Sequence, residues 1–361
     1  MFKTYEKYII KNFTNKIVLL SLIFFSLIII LSVLEDISFF KNTDVNFLVP
    51  YLITFLGAPI TLFEIFPFIF LISTQFLFYD LFKKDELNLL KTNGLSNLKI
   101  VKILFLSSFL IGLFAVFIFY NAASKLKFFY TDIKNDYTKD NKYLAVVTDS
   151  GLWLKDELEE SILIVKANYI QNNENFLIDV IINQFDKNFN LLQTIQSKKV
   201  NISDELWIIK EPKITKKNIS TNDLENLNFQ TSFNTEKINN LFSNISTLNL
   251  LELFNLKKDY EKLGYSSNEI QIHLLNLFTT PFFYGILTIL SAIIMINLNR
   301  NKSLFFHIIF GVLISVIIYY INFIFNSLGN NGKIPMAASI FIPLICISIV
   351  SIMGLIKINE K

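Results

Sequence analysis

The chain has 361 residues, 52% of them hydrophobic, with a mean hydropathy of +0.47 and a formal net charge of +3. That is too apolar for an ordinary soluble protein and indicates several membrane spans. The small charge argues neither for nor against nucleic acid, for which no other sign is present, and a single cysteine, Cys346, excludes an intramolecular disulfide. Asn, Ile, Lys and Phe are abundant and there are only 10 glycines, as in AT-rich coding, so single Lys or Asn residues carry little weight. The Asn-Ile-Ser triplets at Asn201, Asn218 and Asn244 are read as chance products of that composition.

The first apolar run is Ile17–Leu34. It follows a basic segment with Lys3, Lys7, Lys11 and Lys16 against Glu6, and it ends at Glu35 and Asp36. A signal peptide is the competing reading, but the run is too long for an h-region and no small-residue cleavage site follows. A retained helix is expected. The second run, Val45–Phe78, contains Pro50, Pro59, Glu64 and Pro67 and exceeds one bilayer thickness. Either a tilted, kinked helix or an interfacial helix leading into a span at about Leu62–Phe82 fits it. Glu64 is a costly residue in lipid, and a place near the outer headgroups is the plainer account of it.

Between FPFIFLISTQFLF (Phe66–Phe78) and ILFLSSFLIGLFAVFIFY (Ile103–Tyr120) lies the charged segment YDLFKKDELNLLKTNGLSNLKIVK, Tyr79–Lys102. A span needs about 20 apolar residues, so the chain leaves and re-enters the membrane here. The pattern predicts a short amphipathic helix at about 83–96, ended by Gly94, with Asp85 and Glu86 in the turn that favours negative charge. Glu86 reads as a capping or solvated carboxylate or as a contact for a soluble partner. The third span is about Ile100–Tyr120.

From Asn121 to about Thr247 the chain is polar, with β-like runs at 144–148, 151–155, 161–170, 176–185, 191–196 and 205–210. Breaks such as QNNEN and DKNFN separate them, a spacing that suggests an all-β sandwich or jelly-roll-like domain. Trp153 and Trp207 should be at least partly buried in it. A helix over 248–264 follows, with Leu253, Leu256, Tyr260 and Leu263 near one face and Gly264 as its stop. Three more spans are expected at about Leu274–Leu298, Leu304–Phe325 and Ile334–Ile356. The domain plan is thus 1–125 for three spans and the intervening polar helix, 126–247 for the β-domain, and 248–361 for the connecting helix and three spans.

Lys and Arg in short loops set orientation. The N-terminus, the 83–102 loop and the Asn299–Lys302 turn are basic, whereas the 35–45 and 326–333 loops carry only Lys41 and Lys333. Six spans with cytoplasmic termini satisfy this, leaving the β-domain outside. No self-contained catalytic site is legible. GNNGK (Gly329–Lys333) lacks P-loop spacing, and no HExxH or GxSxG is present. His273 and His307 stand apart without carboxylate or thiol neighbours in sequence, so no metal is expected. No catalytic residue or cofactor is expected either, and the energy for any work would come from a partner.

At this level the chain resembles the LptF/LptG permeases, the transmembrane subunits of the ABC machine that extracts lipopolysaccharide from the inner membrane. The 3+3 plan carries the resemblance over nearly the whole chain. The stretch from Phe66 to Ile100 is similar to the family's second span and coupling helix, "P…L…SEL…R..G.S…I". Glu86 and Leu87 stand at its Glu-Leu, Lys91 at its basic position, and Gly94 and Ser96 at its Gly-x-Ser. EKYIIKNF near the N-terminus resembles "ryi.k.f". GLWLKD (Gly151–Asp156) and LGNNGKIPMAASIFIPL (Leu328–Leu344) resemble the LptG side, which is favoured. One departure stands out: LSVLEDI (Leu31–Ile37) has two acids and no Lys or Arg where some members carry a base suited to lipid phosphates.

The resemblance implies a heterodimer with a paralogous permease in the bacterial inner membrane. It implies a cytoplasmic ABC ATPase dimer on the coupling helices, a periplasmic β-domain and a single-span bridge protein that receives lipopolysaccharide. It assigns ATPase coupling to Glu86, Leu87, Leu90, Lys91, Gly94 and Ser96, with Glu86 facing the ATPase groove and Leu87 and Leu90 on its apolar floor. Phe-rich faces of spans 1, 2 and 5 would suit acyl chains, although lipid-facing or packing roles fit any single Phe. The rivals are an export or division permease with four spans, which the 3+3 plan disfavours, and a membrane receptor or scaffold with an outer β-domain. A receptor would be expected to carry a cytoplasmic output domain, and co-purification with an ATPase separates a scaffold.

Overall fold

A computed structural model describes residues 3–41, 45–137, 152–157, 161–171, 175–216, 219–221, 225–231, 233–235, 238, 244–262, 266–297 and 304–359. The chain divides into two compact units, residues 1–130 with 268–361, and residues 131–267. Among the described residues six helices are long and apolar enough to cross a membrane, three before and three after the β-strands.

In the first unit α1 runs Thr4–Phe40. The Lys3 backbone N–H donates to the Glu6 carboxylate at 2.9 Å, satisfying one donor that a helix start leaves open. At 37 residues it spans roughly 55 Å, far more than a bilayer core, so its N-terminal turns extend beyond the apolar run. Near the other end Asp36 is fully buried and accepts hydrogen bonds from Thr54 at 2.7 Å and Tyr130 at 2.9 Å. One of the two acids of LSVLEDI is therefore tied to two neighbouring helices.

The second apolar run forms one continuous helix, α2 (Val49–Lys83), with Pro59 and Pro67 inside it. This selects the long-helix reading over a separate interfacial segment. Glu64 lies on its surface. After the short α3 (Glu86–Thr92), α4 (Asn97–Phe114) passes through a π-helical turn, Ala115–Tyr120, into α5 (Asn121–Asp136). The helix thus continues well past the end expected for span 3.

Following the second unit come α7 (Asn268–Asn297), α8 (Leu304–Asn330) and α9 (Met336–Asn359). α7 lies against α2, α4 and α9. Small residues let it approach closely, the usual basis of packing between membrane helices. A Cβ on Gly112 of α4 would sit 2.7 Å from the Pro281 backbone. Ser108 and Thr288 share a buried hydrogen bond at 2.8 Å, and the Ser291 hydroxyl donates to the Leu71 carbonyl at 2.7 Å. Tyr284 stacks on Phe70 with centroids 4.5 Å apart, and Tyr120 meets His273 Nε2 at 2.9 Å.

Among the described residues the second unit carries one nine-stranded antiparallel sheet. Its strands are β1 (Leu152–Glu157), β2 (Ile162–Ala167), β3 (Tyr169–Gln171), β4 (Phe176–Phe185), β5 (Leu191–Asn201), β6 (Leu206–Lys210), β7 (Lys213–Lys216), β8 (Ile219–Thr221) and β9 (Asn226–Gln230). The main path runs β1-β2-β4-β5-β6-β9, with β3 on β4 and β7 and β8 branching from β5. The expected strand at 144–148 lies outside the described residues. The run at 161–170 divides at Asn168 into β2 and β3.

Alternation decides the sheet's inner face. Along β6, Trp207 and Ile209 are fully buried while Leu206, Ile208 and Lys210 point outward. The Trp207 indole N–H donates to the Phe233 carbonyl at 2.7 Å. Trp153 is 46% exposed, with the Lys166 ammonium 5.2 Å from its ring. In the β4–β5 turn the Asp186 carboxylate accepts from the backbone N–H of Asn188 and Asn190 and from the Asn190 amide. That amide bond, with the backbone donors, holds the Asp186 carboxyl below the usual range. Helix α6 (Leu250–Lys262) buries Leu253 and Leu256. By contacts it groups with the β-unit. Leu263 and Gly264 lie outside the described residues.

Candidate functional site

The charged segment between α2 and α4 folds as a tight link. The amphipathic helix expected over 83–96 is narrower than its sequence pattern, since only Glu86–Thr92 is α-helical. Lys83 still belongs to α2, and Asp85 takes a left-handed conformation, φ 56°, that separates the two helices. The Asn88 side-chain amide donates to the Asp85 carboxylate, steadying that turn.

The end of α3 is built by the residues of the Gly-x-Ser stretch. Gly94 has φ 84°, its N–H donates to the Lys91 carbonyl at 2.9 Å, and the next N–H, of Leu95, reaches back to the Leu90 carbonyl at 3.1 Å. This is a Schellman stop, which needs a left-handed residue that only glycine adopts without cost. Leu95 is buried below it. Ser96 then caps α4, its hydroxyl accepting from the Lys99 N–H at 3.3 Å. Only the four residues Asn93–Ser96 separate the two helices.

The side chains of α3 point in distinct directions. Leu87 is 2% exposed and anchors the helix on the chain itself, while Leu90 is half-buried. Leu89, which the sequence pattern did not single out, is 59% exposed, and Lys91 is exposed beside it. Glu86 is half-buried and accepts a hydrogen bond at 2.7 Å from the hydroxyl of Tyr8, 78 positions earlier on α1. Next to it Lys16 of α1 pairs with Asp80 of α2 at 2.5 Å. Tyr8, Asn12, Lys16, Asp80, Lys84 and Glu86, with Leu77 and Leu81, border a mixed polar and apolar cavity of about 360 Å³. No local spacing signals a contact between residues 8 and 86.

Elsewhere on the membrane unit, apolar side chains cover the surface of α1, α8 and α9, the last exposing Val350, Ile352 and Met353. Leu22, Ile30, Leu31 and Leu34 of α1 and Leu313, Ile317, Tyr320 and Phe323 of α8 are all well over half exposed. Among the described residues no group of His, Cys, Asp and Glu could hold a metal ion.

A family model for the lipopolysaccharide export system permease LptF/LptG matches residues 7–357. The chain belongs to the LptF/LptG family. The match takes in all six candidate spans almost completely, the β-unit and the α3 link. Its members are transporter subunits, and as an LptF/LptG permease this chain is a multi-pass membrane protein of lipopolysaccharide export. No curated protein matches the chain.

Proposed function

We propose that this LptF/LptG chain is one half of the membrane channel of an ABC exporter, in the inner membrane, with its β-unit in the periplasm and α3 as the coupling helix for a cytoplasmic ATPase dimer. The observation that carries the reading is α3 itself. It is a short helix between two spans, anchored from below by Leu87, with Leu89 and Lys91 turned to solvent and Glu86 at its start. An ATPase groove that took Leu89 on its apolar floor, with Leu90 at the edge, could meet Glu86 with a cation in a charge-assisted pair. Lys91 would face the rim, and Gly94 and Ser96 would pass movement of α3 directly into α4 because they leave no slack between the helices.

The exposed apolar faces of α1 and α8 support the remaining parts of the reading. A paralogous permease placed against them would enclose an apolar space suited to acyl chains, and ATP-driven closure of the ATPases would narrow it. The glycolipid would then pass along the β-unit to a single-span bridge protein. The stretch Leu328–Leu344 favours the LptG side. No residue of this chain is assigned a catalytic step, since ATP hydrolysis would belong to the partner.

Two experiments test this. Glu86→Ala should insert and pair with the sister permease yet lose most ATPase co-purification and glycolipid release, with Glu86→Asp and Asp85→Ala milder. Unchanged co-purification and release would remove Glu86 from the coupling role. Cysteines placed at positions 90 and 190 should label from opposite sides of the membrane, and labelling of both from one side would overturn the orientation.

A further inference from the structure

The basic N-terminal segment touches the coupling link. Ile9 and Phe13 of α1 are fully buried and Ile17 nearly so, one helical face that seats this end of α1 on the membrane unit. Phe13 packs edge-on against Phe70 of α2, with centroids 6.4 Å apart. The Lys16–Asp80 pair adds a second tie to α2. These contacts fix Tyr8, which neighbours Ile9 on the helix, so that its hydroxyl reaches Glu86.

That hydroxyl engages Oε2, and Oε1 accepts from no described residue. The 2.7 Å separation lies in the short range of an O–H donor on a carboxylate. A glutamate on a helix has three side-chain torsions, and a second protein that docks on its carboxylate must otherwise freeze them at the moment of binding. We propose that Tyr8 is a positioning residue for ATPase docking: it holds the Glu86 carboxylate in its docking orientation while leaving one oxygen for the partner's cation. The inference rests on the coupling role proposed for Glu86. It gives α1 a part in docking, so the helix with the exposed apolar face is tied to the coupling helix directly and not only through α2.

The test is a double-mutant cycle on the full chain with its sister permease in nanodiscs, titrated with the purified ABC ATPase of the same exporter. Tyr8→Phe keeps the ring and removes the donor. It should weaken ATPase binding by about three- to tenfold, the range that freeing one side chain's rotamers implies, with an unchanged unfolding temperature. In the Glu86→Ala background the same substitution should change nothing. An equal loss in both backgrounds would make Tyr8 a merely structural residue and overturn the proposal. So would undiminished binding by Tyr8→Phe where Glu86→Ala alone binds weakly. If Glu86→Ala itself binds normally, the coupling reading fails and this inference falls with it.

Discussion

Two groups of helices share the membrane unit, and their burial differs sharply. The apolar windows of α2, α4 with its continuation, and α7 are 50%, 39% and 61% buried inside the chain, whereas those of α1, α8 and α9 are 17%, 17% and 28% buried. The window in α1 is the most hydrophobic of the six and shares the lowest burial. Lipid tails are as apolar as leucine, so hydrophobicity places a helix in the membrane without placing it in the core. The core helices bury more polar and small residues where they meet: Ser73, Thr74 and Gln75 on α2, Ser108 and Gly112 on α4, Thr288 and Ser291 on α7, against Asp36 on α1, Ser315 on α8 and Ser339 and Ser351 on α9. A polar group in hydrocarbon needs a partner, and for Ser108, Thr288 and Ser291 another helix supplies it.

The contrast predicts a graded set of outcomes for unfolding in detergent. Tyr284→Ala, which empties a fully buried site against Phe70, should cost about 3–5 kcal/mol. If it cost no more than a surface change, the α2–α7 contact would not be a core. Gly112→Leu drives a side chain into the Pro281 backbone and should destabilise by about 1–3 kcal/mol, read as a lowered unfolding temperature. Ser108→Ala removes the bond to Thr288 and should cost about 0.6 kcal/mol, the average for hydrogen bonds between membrane helices.

On the other group, Leu31→Ala should shift the single chain's stability by under about 0.5 kcal/mol. It should nevertheless weaken cross-linking to a sister permease, because Leu31 is 69% exposed on the face proposed for pairing. A large loss of stability with intact pairing would reverse the two groups. Away from the membrane the smallest effect is expected at the exposed Asp186 turn. Its carboxyl is held below the ordinary value, so the stability it contributes is present above the unfolded pKa of about 3.9 and is lost as pH falls through the lower folded value. Asp186→Asn should remove that part of the acid sensitivity of the β-unit in a melt run between pH 5 and pH 2.

The coupling link shows how unevenly a site can be read from its residues. Gly94 and Ser96 carry local chemistry, a left-handed stop and a hydroxyl cap, and their sequence spacing already expresses it. Leu87 and Leu89 look alike in sequence. Only the packing beneath α3 buries the first and exposes the second. Tyr8 could not be tied to Glu86 from spacing, since their hydrogen bond joins two separate helices. The β-unit repeats the lesson. Alternating runs announce β4, β5 and β6, while the short polar strands β7 and β8 have no apolar face and are strands because a neighbour offers hydrogen bonds.

By itself the sequence determined the six apolar helices, the inserted β-unit, the polar link between α2 and α4 and the family. The first three follow from composition and periodicity, which act within a few turns of chain, whereas the family rests on short motifs and the match over residues 7–357. The tertiary structure alone decided that α2 is one helix through its prolines and that α3 is only seven residues long. It also decided that Asp36 is buried against Thr54 and Tyr130, and that Tyr8 holds Glu86. Those outcomes depend on which surfaces meet across tens of residues, and in a membrane, where every helix is similarly apolar, close packing and polar pairing make that choice.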